Sequence, residues 1–334
     1  MAHILTMGEI MMRLTPPSHQ RLVQTNDFHA YFGGAEANVA MNMSQFGHDA
    51  SFLTALPANA MGEAAKRRLR AAGVHTNTIV DQGRRLGLYY VEEGYSVKPA
   101  EVIYDRADAS VWELVDTVLD WEQLLAGVEV FHVSGITPAL GPEMHKLTMR
   151  ALKEAASRGI YVSFDCNYRA KLWSPEEAKA SFEEILPYVD VCFIGHKDFV
   201  YLLGMDGDEV FSPEQLERLY DQAARKYQIS TMASTHRTAA SASSNSLTGY
   251  YYDGSRLHAS STVSFDLLER VGGGDSFASG ILHGVLQENW EPQQIVEFAT
   301  GSSVLKHMVV GDSNQFDEAY VLQFVENQDN DVKR

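Results

Sequence analysis

Val271-Gly-Gly-Gly-Asp-Ser-Phe-Ala-Ser-Gly280 reads as a bare backbone turn feeding a helix. Three consecutive glycines carry no Cβ, so their N–H groups can lie against a ligand. An apolar helical pattern follows at Phe277, Ile281, Leu282, Val285 and Leu286. Unpaired amides and the helix dipole converge where such a turn meets such a helix, which makes an anion site. Asp275 stands at the helix start. It can serve as an N-cap, or as a carboxylate that accepts a hydroxyl proton beside a transferring phosphate. The residues alone leave both roles open. No Gly-Lys-Ser/Thr follows, so the turn is not a Walker loop. No Gly-x-Gly-x-x-Gly follows the first strand, which disfavours a dinucleotide fold.

A second segment repeats the design far upstream: Phe32-Gly-Gly-Ala-Glu-Ala-Asn-Val-Ala-Met-Asn-Met-Ser-Gln-Phe-Gly47. Gly33 and Gly34 precede a helix pattern, and their amides can bind substrate hydroxyls or a carboxylate. Asn38 either adds a donor and an acceptor to that site or steadies the helix start.

Between the two segments, strand-like runs alternate with helical ones. Ile4–Met7, Ser51–Thr54, Val128–Val133, Tyr161–Phe164 and Val189–Ile194 read as buried strands. Val39–Gln45, Gly62–Ala72, Glu143–Arg158 and Pro175–Leu186 read as helices. The alternation predicts an α/β fold with a mostly parallel sheet flanked by helices, whose ligands bind outside the carboxyl ends of the strands. Met11–Leu14, Leu22-Val23, Leu88–Val91 and Val102–Tyr104 break the alternation and suggest a small separate sheet, a lid. Ser241–Ser246 is small and polar, and reads as a loop.

The whole chain bounds these readings. It has 334 residues, 45% of them apolar and 21% charged, and a formal net charge of −17. That size suits one large α/β domain with a small accessory piece. The acidity disfavours nucleic acid and anionic membranes as partners, and it means that an anionic ligand needs local positive charge. The two cysteines, Cys166 and Cys192, lie in apolar stretches and are expected as buried thiols. The twelve histidines show no metal-ligand spacing; His132, His196, His236 and His307 are expected as satisfied polar residues. No signal peptide or long apolar run is visible, so the cytoplasm is the expected compartment. Gln328–Arg334 is expected to fray.

Taken together, the two glycine segments resemble the signatures of the PfkB or ribokinase family of carbohydrate kinases. Gly33-Gly34-x-x-x-Asn38, ending at Gly47, is similar to the N-terminal signature. Gly272-Gly-Gly-Asp275-x-Phe277-x-x-Gly280 is similar to the C-terminal one, usually Gly-Ala-Gly-Asp. The resemblance spans nearly the whole chain. It implies a single ribokinase-like domain over 1–334, with lid strands drawn from about 11–32 and 86–108, and a homo-oligomer formed through the lid. It also implies ATP with Mg2+, Asp275 as base, and the amides of Gly272, Gly273 and Gly274 as an anion hole.

Within that family the chain looks most like the 2-keto-3-deoxygluconate kinases, through Gly87-Leu-Tyr89, Tyr104-x-Arg106, Asp165-x-Asn167-x-Arg169-x-x-Leu172-Trp173 and Lys306-His-x-x-x-Gly-Asp312. The likeness implies that Gly33, Gly34, Asn38, Tyr89, Tyr104, Arg106, Arg169 and Asp312 meet a sugar acid such as 2-dehydro-3-deoxy-D-gluconate. Two arginines suit a carboxylate better than a neutral sugar. The alternatives are a fructokinase or other neutral-sugar kinase, and an inert sugar- or nucleotide-binding regulator. The sequence departs from the family at Gly195-His-Lys-Asp198, where Asp198 alone keeps the acid of an Asn-x-x-Glu metal segment. Glu269 stands where an Asp usually precedes the base. Thr231–Arg237 replaces the usual glycine-rich nucleotide strand, and leaves Thr235, Arg237, Gly274 and Lys306 as candidate ATP contacts.

Overall fold

The computed structural model describes residues 1–326; the expected fraying of Gln328–Arg334 lies outside the described residues. Its main sheet has nine strands. Six run parallel, in the order Asp49–Leu53, His3–Met7, Val130–Ser134, Tyr161–Asp165, Val191–Phe193 and Thr231–Ala239. Ser244–Tyr252 continues the sheet antiparallel, and pairs in turn with Leu257–Ala259 and Val263–Asp266. The central strands alternate their side chains between two cores, as strand geometry requires. Leu5, Phe131 and Phe164 pack with Leu152, Phe182 and Tyr220. On the other face, Ile4, Val130 and Val191 pack with Val39, Met43, Ile281 and Phe298. The result is three layers: helix, sheet, helix.

After His3–Met7 the chain steps outward to Asp49–Leu53, then returns to Val130–Ser134 on the opposite side. This reversal is a switch point, and the crevice at its carboxyl side is where an open α/β sheet holds ligands. A four-stranded sheet stands over it, in the order His29–Gly33, Met11–Thr15, Leu88–Glu92, Glu101–Asp105. This is the lid.

Two expectations are corrected here. Leu22-Val23 is not a lid strand but part of a 3-10 turn, Leu22–Gln24. Gln24 reaches back to accept the Arg21 amide at 2.9 Å, Val23 is 81% exposed, and His29–Gly33 takes the strand position instead. Ser241–Ser246 is only partly a loop, because Ser244 already begins the long strand to Tyr252. Its polar side chains belong to the outer part of that hairpin, where Ser246 and Ser264 hydroxyls meet at 2.9 Å. Cys166 and Cys192 are buried free thiols, with sulfurs 3.9 Å apart.

Candidate active site

The helix Ala35–Gln45 and the helix Gly273–Val285 lie side by side, each entered through glycines at the switch-point end. Gly272 takes φ +84°, a left-handed conformation that favours glycine, and a Cβ there would strike the Asp312 carbonyl at 1.7 Å. A Cβ on Gly273 would strike the His307 ring at 2.2 Å, whereas one on Gly274 meets nothing within 4 Å. Close packing therefore demands the first two glycines, and the third opens onto free space. The first amides of this helix have no intrahelical acceptor, and no side chain caps them.

Asp275 is not the cap. It sits at the third helical position, and its carboxylate accepts from Asn38 Nδ2 at 2.6 Å. Residues 237 apart in sequence thus join the two glycine turns. Asn38 is 2% exposed, and its Oδ1 lies 3.5 Å from the Gly34 amide. One turn on, Asn42 donates to the Ser279 hydroxyl at 3.2 Å and accepts from the Asn314 amide at 2.8 Å. Burial pushes Asp275 up to about 6, against the opposing pull of Asn38 and Arg169. Burial, then the Asp275 charge, lifts neighbouring Asp165 to about 8.

Both turns open into a cavity of about 1310 Å³ between sheet and lid. A single small-ligand site occupies roughly 300–1,000 Å³, so there is room for two ligands. Gly34, Asn38, Tyr89, Tyr104, Arg106, Arg169, Gly272, Gly273, Gly274, Asp275 and Asp312 all lie on its wall. Gly33 sits behind the wall, where a Cβ would strike the Asp312 carboxylate at 2.3 Å. The Tyr89 hydroxyl donates to Asp312, and the Tyr89 and Tyr104 rings stack at 5.9 Å.

The two arginines differ. Arg169 is exposed on the rim and makes no ion pair among the described residues, only a 3.4 Å contact to the Tyr168 carbonyl. Arg106 is 8% exposed and pairs with Glu9, whose carboxyl is pushed up to about 6 by burial.

The remaining candidates lie off this wall. Lys306 is fully buried beneath the turn, its Nζ 3.3 Å from the Val309 carbonyl, and burial lowers it to about 8. Thr235 is exposed and Arg237 half-buried on the strand Thr231–Ala239. Arg270, which sequence reasoning missed, lies on the cavity wall near enough to Arg237 to oppose its charge, and neither makes an ion pair among the described residues. An unpaired arginine couple in a chain of net charge −17 is a local anion-attracting edge.

Asp198 accepts the Gly195 amide at 2.8 Å. No group of three His, Cys, Asp or Glu side chains able to hold a metal occurs among the described residues. Three of the named histidines are hydrogen-bonded: His132 meets Ser163 at 2.8 Å, His196 the Asp208 carbonyl at 2.8 Å, and His307 the Ser303 carbonyl at 2.6 Å; His236 instead packs edge-on against the Phe211 ring.

The pfkB family carbohydrate kinase model matches residues 1–318. The chain belongs to the PfkB family of carbohydrate kinases. A 2-dehydro-3-deoxygalactonokinase of Haloferax volcanii is 31% identical to it over 93% of this chain and 92% of that one. The crystal structure of a 2-dehydro-3-deoxygluconokinase from Thermotoga maritima has a TM-score of 0.94 at 38% identity, covering 98% of this chain and all of the other. A PfkB family carbohydrate kinase from Listeria grayi has a TM-score of 0.92 at 37% identity, covering 97% and 100%. Among the described residues of this PfkB member no helix is long and apolar enough to cross a membrane.

Proposed function

We propose that this PfkB member phosphorylates a sugar acid, 2-dehydro-3-deoxy-D-gluconate, at its 6-hydroxyl with ATP, as one kinase domain in the cytoplasm. The observation that carries this reading is the Asn38–Asp275 bond. It sets a carboxylate of raised pKa at the meeting of two glycine turns, in one cavity rimmed by Arg169, which makes no ion pair among the described residues. Asp275 accepts the proton of the attacking hydroxyl as the new P–O bond forms and the bond to the ADP oxygen breaks. The helix amides at Gly273 and Gly274 face the transferring phosphoryl group and offset its charge. Arg169 and Arg106 take the carboxylate, and Tyr89, Tyr104 and Asp312 hold the rest of the sugar under the lid. Arg237 and Arg270 flank the nucleotide phosphates, with Thr235 beside them.

Mg2+ ordinarily keeps its waters and binds through one or two carboxylates plus substrate phosphates. In this reading Asp198, which lies off the cavity wall and accepts the Gly195 amide, would be the protein carboxylate, and the ion would neutralise phosphate charge. A neutral sugar would leave Arg169 without a partner, so fructose is the weaker candidate. Self-association would run through the outer lid strand Glu101–Asp105, which ends the four-stranded sheet.

An ATP-coupled assay tests the reading directly, across 2-dehydro-3-deoxygluconate, its galactonate epimer, aldonic acids and neutral ketoses. A keto-deoxy sugar acid should give the highest kcat/KM. A neutral ketose ranking first overturns the proposal.

The base assignment has a pH signature. With Asp275 near 6, kcat/KM should fall as pH drops through about 6, because only the ionised carboxylate accepts a proton. The Asn38 amide favours the ionised form. Asn38→Ala should therefore move this acidic limb to higher pH. A limb that stays put, or moves down, contradicts the assignment of Asp275.

A further inference from the structure

Arg13 is fully buried on the lid strand Met11–Thr15 and does not line the cavity. Its Nη1 donates to Glu269 Oε2 at 2.6 Å, and its Nε lies 3.0 Å from Asp312 Oδ1. The second contact is ionic more than directed, since neither atom has a hydrogen-bond partner and Nη2 is buried without one. The guanidinium also stacks 4.6 Å over the Tyr31 ring of the adjacent lid strand. A buried cation is costly unless paired, and losing either partner strands the other charge. This one is held by two carboxylates that lie on either side of the glycine turn.

Glu269 Oε1 accepts the amides of Arg270 at 2.9 Å and Val271 at 3.2 Å, and so fixes the backbone that enters the turn. Asp312 presses its carbonyl against Gly272 and accepts the Tyr89 hydroxyl from the lid. One lid arginine therefore reaches both walls of the turn, and the cavity-lining Tyr89 reaches the same carboxylate.

We infer that Arg13 is a positioning residue that couples the lid to the glycine turn, so that a sugar held under the lid tightens the binding of the nucleotide phosphates. A sugar that draws down Tyr89 acts on Asp312. Asp312 and Arg13 share their charge with Glu269, and Glu269 sets the amides ahead of the turn. By linkage the effect is reciprocal: the nucleotide tightens the sugar by the same factor. The inference rests on the kinase reading of the cavity, but not on which sugar it takes.

The test measures binding of adenosine 5′-(β,γ-imido)triphosphate with Mg2+ by calorimetry, with and without sugar. The sugar is whichever panel member wild type phosphorylates, so failure of the sugar-acid reading leaves this test intact. Wild type should show coupling of at least about fivefold, within the usual range. Arg13→Lys keeps the charge but cannot span both carboxylates, and Glu269→Gln keeps the shape and loses one charge. In each, the coupling should fall to within about twofold of none, kcat should drop, and sugar binding without nucleotide should change less than about threefold. A merely structural role would lower stability and leave the coupling alone. Absence of coupling in wild type, or coupling retained in both folded variants, overturns the inference.

Discussion

Asp275→Asn should leave a folded protein that turns over about 10²- to 10⁴-fold more slowly, the range for removal of a general base. The amide keeps the shape of the carboxylate and can still offer an oxygen to Asn38. Folding should not suffer, because the helix Gly273–Val285 does not use Asp275 as its cap. Thermodynamic linkage goes further. Burial raises the folded pKa of Asp275 to about 6 from 3.8. Any stability from a raised carboxyl is fully present below the unfolded pKa and is lost as pH rises through about 6. At pH 7 to 8 the ionised group thus weighs against the fold, and asparagine removes that burden. The variant's Tm above pH 6 should equal or exceed that of wild type, while kcat collapses. A large drop in Tm would mean that Asp275 is structural. Near-normal kcat would mean that the proton goes elsewhere.

The fold was legible because its signals are local. Two glycine pairs or triplets ahead of apolar helices mark both turns, and the run of strands such as Tyr161–Asp165 between helices such as Pro142–Ser157 marks a parallel sheet. The Asp275 role stayed open in the sequence because a carboxylate at a helix start looks the same whether it bonds its own helix or a residue 237 positions away. Arg13 does leave a trace in the sequence. In Met11-Met-Arg-Leu-Thr15 the period of two puts Met11, Arg13 and Thr15 on one face, and that face is buried. A charge set into an apolar alternation implies acids buried opposite it. Glu9 and Arg270 left no such trace, since each lies beside a turn where charged residues are ordinary and only tertiary packing shows their partners or lack of them. Leu22-Val23 misled because two apolar residues are too few to separate a strand from a turn.

Arg169→Ala should weaken a sugar acid by about 10- to 150-fold in kcat/KM, the equivalent of roughly 1.5–3 kcal/mol for a hydrogen bond to a charged group. It should change neutral sugars far less. Arg169 is an exposed cation with no ion-pair partner among the described residues, so its loss strands no buried charge; its charge does help to hold Asp275 down, so the acidic limb should move up for every sugar, and the acid-to-neutral preference is what reports ligand contact. Arg106→Ala should narrow the acid-to-neutral preference as well, but with a second consequence. It deprives Glu9, 4% exposed, of its cation. Glu9 then loses the influence that opposes burial, so its pKa should climb above about 6 and Tm should fall. The two variants therefore separate by stability while agreeing on specificity. The loss should appear in kcat as well as KM, because a carboxylate held from the rim and from the lid also fixes where the reacting hydroxyl meets Asp275. Steady-state kinetics on 2-dehydro-3-deoxygluconate and on fructose decide the matter. If wild type prefers fructose, or if neither variant shifts the preference, the carboxylate clamp does not exist and the cavity belongs to a neutral sugar.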